Sequence, residues 1–307
     1  MEKNINSLEM MELAKTDKSQ GWKNILRIII PYIFVVGIFQ LIAALIAGID
    51  IMHIREVHQN PTQLLILNFM TMLSTVLIVW LFRINVDNKS FVSIGFSNVK
   101  IGNDILLGLT IGFFIMLFGF CSLILTKQLE FIDIQFNALN FLEVFGVFVC
   151  VAISEEVLCR GYILNNLMVS FNKYLALVIS AIIFSLFHWA NNGISLLSLF
   201  VLFLSGILLG LSYIYYKQLW FPIALHFSWN FFQGPVFGFN VSGIKIPTLI
   251  VSKYKTANIW NGGEFGFEGS VISLIFIVAT LVLVYFLYRN KLSDESEKII
   301  EPEVEKV

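Results

Sequence analysis

SEEVLCRGY, residues 154–162, sets two adjacent glutamates and an arginine inside a hydrophobic run. Its meaning depends on whether that run lies in a membrane. The chain has 307 residues, 57% of them hydrophobic and 13% charged, with 30 phenylalanines and a mean hydropathy of +0.81. A soluble globular protein carries about 25% charged residues, so the composition is that of a polytopic membrane protein. A charge at mid-bilayer costs roughly 2.5–3.5 kcal/mol, so such residues face a partner or a cavity. Glu156 and Arg160 stand four apart, share a helix face and can form an ion pair. Glu155 is rotated by about 100° from Glu156 and has no local partner. It needs another reason to be there.

Outward from this stretch, eight runs approach the roughly 20 apolar residues that a spanning helix needs. They lie near 25–48, 63–83, 104–126, 142–166, 174–191, 195–216, 219–239 and 269–288. Backbone groups in lipid must be satisfied internally, which makes these runs helices rather than strands. The expected fold is all-α, with about eight transmembrane helices around an intramembrane cavity. Residues 1–24 and 289–307 form polar tails on either side of the helical domain at 25–288. Eight spans put both termini on one side. That side holds 15 lysines and arginines against five on the other, which places both termini in the cytoplasm. The N-terminal tail lacks the apolar core of a signal peptide.

The net charge of -1 offers no basic field for nucleic acid. Cys121, Cys150 and Cys159 sit apart in apolar runs, with no CxxC pair, and read as small buried hydrophobes. The longest outer loop, near 240–268, contains NGGEFGFEGS, whose glycines permit turns with positive φ. It reads as a structured external cap, with substrate gating as the alternative.

Two later runs carry further polar residues. FSLFHWANN, residues 184–192, brings His188, and FPIALHFSWNFF, residues 221–232, brings His226 and Asn230 four apart on one face. The other histidines, His53 and His58, sit in the first outer loop and read as interfacial. Glu155 and His188 lie about 16 residues either side of the turn near SFNKY, 170–174, so an antiparallel hairpin sets them at equal depth. His226 is about seven residues from Leu219 and Trp220, only about 10 Å in at 1.5 Å per residue. The mismatch closes if the fourth span projects beyond the membrane or GYILNNLMVSF lies at the interface. The site is then expected in the cytoplasmic half, open to water.

A carboxylate can act as general base towards water, and histidine and asparagine can donate to an oxyanion. Together these amount to peptide hydrolysis without a covalent intermediate. Alternatively, Glu155, His188 and His226 could hold a zinc ion whose bound water attacks, although HExxH is missing. Ser154 and Ser228 lie near the motifs, but no GxSxG elbow is present.

EEVLCR fits EExxxR, FSLFH fits FxxxH and HFSWN fits HxxxN, in that order along the chain. In these motifs, and in FVSIGF and GGEFGFEGS, residues 90–288 resemble the CAAX-processing and bacteriocin-processing (CPBP) intramembrane proteases, also called the abortive-infection family. The resemblance implies a membrane endopeptidase in which Glu155 activates water and Glu156 and Arg160 support it. His188, His226 and Asn230 orient the water and stabilise the oxyanion. No cofactor is required, zinc remaining the alternative, and the partners are a peptide or membrane-protein substrate and the bilayer. A composition rich in Ile, Phe, Asn and Lys suggests a low-GC bacterium. There the relatives are linked to bacteriocin or pheromone processing, self-immunity and surface-protein regulation. A non-catalytic membrane scaffold or immunity protein is the competing reading, and a proton-coupled transporter a third.

Overall fold

The computed structural model describes residues 18–49, 60–97 and 101–304, with side chains up to residue 288. His53, His58, Arg55, Lys100 and most of the N-terminal tail lie outside the described residues. The chain is helical almost throughout. Its helices are α1 (Gln20–Ile46), α2 (Pro61–Asn85), α3 (Ile101–Leu125), α4 (Ala138–Glu156), α5 (Asn165–Ser170), α6 (Lys173–Leu186), α7 (Leu196–Tyr216), α8 (Trp220–Phe231) and α9 (Val271–Val304). The helical backbone of α9 thus continues well past the apolar run at 269–288.

Local chemistry sets the boundaries. The Asn60 side chain accepts from the amides of Thr62 and Gln63, with Pro61 at the first helical position. Asn137, Asn172 and Ser195 cap α4, α6 and α7 in the same way. Lys217 ends α7 in the left-handed conformation, with φ 51°.

Five helical stretches among the described residues are long and apolar enough to cross a membrane: α1, α2, α3, α7 and the first part of α9. The three remaining expected spans carry the three polar motifs. α4 and α5 are joined by a π-helical segment, Val157–Leu164, into one run of about 50 Å at 1.5 Å per residue. α6 has only 14 residues, and α8 has 12 before it widens into a π-helical segment at Phe232–Val236. The site-bearing helices are therefore the short or interrupted ones.

Two features were not expected. A two-stranded antiparallel sheet pairs β1 (Leu129–Ile134) with β2 (Ile250–Tyr254), the latter inside the long loop near 240–268. In that loop Gly262, Gly263 and Gly266 have φ of +80°, +56° and +99°, as NGGEFGFEGS suggested. Arg83, one of the 15 lysines and arginines on the side of the termini, is buried. It pairs with Asp87 at 2.9 Å and donates to Ser93. Asp87 also accepts from Asn24 of α1 and Asn166 of α5. This cluster ties the first two helices to the end of the long broken run.

α3 positions the site through α8, on which it packs most extensively. A Cβ on Gly108 would meet Leu225 N and Phe221 O at 2.8 Å, and one on Gly112 would meet Ser228 Oγ at 2.6 Å. This is a GxxxG face, at which two helix backbones approach closely. The Ser228 hydroxyl donates to Leu109 O across the contact at 2.7 Å. We predict that Gly112→Leu destabilises the fold by roughly 1–3 kcal/mol through overpacking. Gly102→Leu, where a Cβ meets nothing within 4 Å, should change it by less than about 0.5 kcal/mol. Thermal denaturation of both variants in detergent checks this.

Candidate active site

One cavity of about 490 Å³ collects the polar residues singled out in the sequence. Glu155, His188, His226 and Asn230 all line it, among mostly apolar side chains from α1, α2, α4, α6, α7 and α8. Glu156 and Arg160 do not line it. They stand behind it, at 0% and 1% exposure.

Glu156 and Arg160 form the expected ion pair, 2.7 Å between Oε1 and the guanidinium. The guanidinium also donates to Gly206 O of α7 at 3.1 Å and lies over the Phe184 ring of α6, 4.5 Å from its centroid. The same Glu156 oxygen is 2.8 Å from Nδ1 of His226. A carboxylate already bonded to arginine only accepts, so Nδ1 carries the proton, and His226 presents Nε2 to the cavity. There Nε2 lies 3.9 Å from Oε2 of Glu155. That is too long for a direct hydrogen bond, but a water about 2.8 Å from both atoms would bridge them. Glu155, whose side chain is 33% exposed, makes no ion pair with an arginine among the described residues.

His188 follows the same logic. Its Nδ1 is 3.0 Å from Phe184 O one turn earlier. A carbonyl only accepts, so Nε2 is again the free atom. Asn230, one turn beyond His226, lines the cavity at 6% exposure. The serines are engaged elsewhere: Ser154 donates to Val151 O and Ser228 to Leu109 O. Among the described residues no group of three histidine, cysteine, aspartate or glutamate side chains stands close enough together to hold a metal ion.

The depth of His226 has a structural answer. The turn before α8 does not lie level with the turn at 170–173. The Leu219 amide donates to Gly95 O, and neighbouring Ile94 packs against Gly161. The start of α8 is therefore level with residue 161 of the broken helix. From there the chain runs about 10 Å to His226 and about 7.5 Å to Glu156, where the two meet, while Tyr162–Ser170 continues past the turn.

His188 lies beyond the end of α6. The cavity is also lined by Asn191, Ser242 and Glu268, from the loops opposite the turns at 170–173 and 217–219. The site sits towards that loop-rich end.

Some lining residues were not foreseen. Tyr32, Asn68 and Thr71 come from α1 and α2, whose apolar pattern gave no sign of them. Glu268 was visible only as an acidic residue in NGGEFGFEGS. It accepts from Trp229 Nε1 at 3.2 Å and from both the amide and hydroxyl of Ser242, at 2.9 and 2.8 Å.

Fold and site together define a polytopic helical membrane protein with a carboxylate–histidine site inside its bundle. The family described as Rce1-like, type II CAAX prenyl endopeptidase Rce1-like, matches residues 137–232. That segment contains Glu155, Glu156, Arg160, His188, His226 and Asn230. Over that segment the chain is similar to the type II CAAX prenyl endopeptidases. It covers less than the 90–288 of the resemblance and stops short of Glu268. No curated protein and no solved structure matches the chain.

Removing one partner of a buried ion pair leaves an uncompensated charge. Arg160→Met should therefore destabilise the protein by roughly 3–5 kcal/mol, while Arg160→Lys, which keeps the charge, should lose less. Unfolding in mixed micelles measures both.

Proposed function

We propose that this chain hydrolyses peptide bonds of membrane-associated peptides or proteins with a water activated by Glu155. The observation that carries this is the Glu155–His226 pair, a partly exposed carboxylate 3.9 Å from an imidazole Nε2 whose other nitrogen is anchored by Glu156. Glu155 takes a proton from water as the water attacks the carbonyl carbon. Asn230 donates its amide to the developing oxyanion, and the free Nε2 of His226 accepts from the attacking water and orients it. Glu155 then returns the proton to the leaving amine. Glu156 and Arg160 touch no substrate; they hold His226. No step requires a metal.

The lysine and arginine bias supports cytoplasmic termini, and the composition rich in Ile, Phe, Asn and Lys supports a bacterial cell membrane. Burial of Arg83 and Arg160 leaves the bias in place. The loop-rich end of the cavity then faces the outer side. A role in bacteriocin or peptide processing, self-immunity or surface-protein regulation fits such a site. A scaffold would not need four polar side chains converging in an apolar cavity.

The test is cleavage of apolar peptides by purified protein in detergent, read by mass spectrometry. Wild type should cut internally and keep its activity after dialysis against EDTA. Glu155→Gln should lower kcat by roughly 10²–10⁴, and His226→Ala and Asn230→Ala by about 10² or more. Activity lost on dialysis and restored by zinc would replace the metal-free reading. A fully active Glu155→Gln would overturn the role given to Glu155.

A further inference from the structure

The segment Val241–Ile246 forms one wall of the cavity. Val241, Ser242, Ile244 and Ile246 line it, while Lys245 between the two isoleucines is exposed. That alternation is the side-chain period of an extended strand. Pro247 reinforces it, because the residue before a proline is pushed to extended backbone.

The segment is hung from the elements that carry the site. Glu268 clamps Ser242 to Trp229, the neighbour of Asn230. Asn191, three residues after His188, donates to Ser242 O at 3.0 Å. Gly243 donates to Phe265 O and has φ +83°, where a Cβ would lie 2.2 Å from Asn192 O. The turn closes with reciprocal bonds between Val241 and Ile244.

Beyond this turn the hydrogen bonding stops. Among the described residues, the amides and carbonyls of Lys245 and Ile246 have no hydrogen-bond partner in the protein, and main-chain pairing resumes with Leu249 N to Pro235 O. A preformed extended segment with unspent donors and acceptors is an edge to which a peptide can add as a strand. The cavity beside it holds the carboxylates Glu155 and Glu268 and, among the described residues, no lysine or arginine.

We propose that Lys245–Ile246 is the substrate-binding edge. The substrate lies against it as an extended apolar strand, without acidic side chains near the scissile bond, its main chain hydrogen-bonded to this segment. The inference rests on the endopeptidase reading and adds to it the conformation and class of substrate. It also makes Glu268 a positioning residue for that edge.

The test uses the best-cleaved member of an internally quenched apolar octapeptide library, resynthesised with a single N-methyl group at each position in turn. Wild type should show KM raised about five- to ten-fold, one hydrogen bond's worth, at alternate positions on one side of the cut, with kcat within about two-fold. One of Lys245→Pro and Ile246→Pro, whose amides point to opposite edges of the extended segment, should raise KM by a similar factor over the matching alanine variant, and the other should not. Cleavage by wild type with an N-methyl scan that lacks this alternation overturns the edge and leaves the endopeptidase standing. Absence of cleavage by wild type overturns both.

Discussion

Glu156 is a carboxylate at 0% exposure inside a hydrophobic helical bundle, and two donors from different helices meet at one of its oxygens. Arg160 reaches it from the next turn of its own run, and His226 from α8. An ionised carboxylate there is unaffordable without such partners. The pair fixes more than charge. Through Arg160 it reaches Gly206 O on α7 and the Phe184 ring on α6. Four elements are thereby registered against one carboxylate, and the Nε2 of His226 is aimed at Glu155.

The helices that carry this cluster bear its marks. A spanning helix of uniform apolar residues needs no interruption, and α1, α2, α3 and α7 show none of comparable kind. The run from Ala138 to Ser170 widens into π-helix immediately after Glu156, across Arg160 and Gly161. Such widenings are rare and recur at functional sites. α6 stops at Leu186, two residues before His188. The GxxxG face of α3 then lets α8 approach closely, and the Ile94–Gly161 and Gly95–Leu219 contacts set how far in α8 begins.

Much of this was legible in the sequence, for identifiable reasons. Apolar runs of about 20 residues announce helices because lipid leaves the backbone no alternative. Glu156 with Arg160, and His226 with Asn230, could be placed on common faces because helical spacing is local. Equal offsets about 170–174 put Glu155 and His188 in one cavity. What failed was the step from local to global. Depth was counted from turns assumed level, whereas the turn before α8 lies beside residue 161. Arg83 looked like a surface cation because Asp87, Asn24 and Asn166 come from three places in the chain. Glu268 looked like one loop acid among others; only its meeting with Trp229 and Ser242 gives it a place at the cavity.

Two adjacent glutamates have different surroundings: Glu156 is bonded to Arg160 and His226, and Glu155, facing the cavity, is the residue we propose acts on water. The most direct test measures melting temperature and cleavage rate together for Glu155→Gln and Glu156→Gln. The account predicts that Glu155→Gln melts within about 2 °C of wild type, a shift worth under about 1 kcal/mol, yet does not cleave, and that Glu156→Gln loses several degrees together with activity. A Glu156→Gln protein that melts like wild type, or a Glu155→Gln protein that still cleaves, would contradict it.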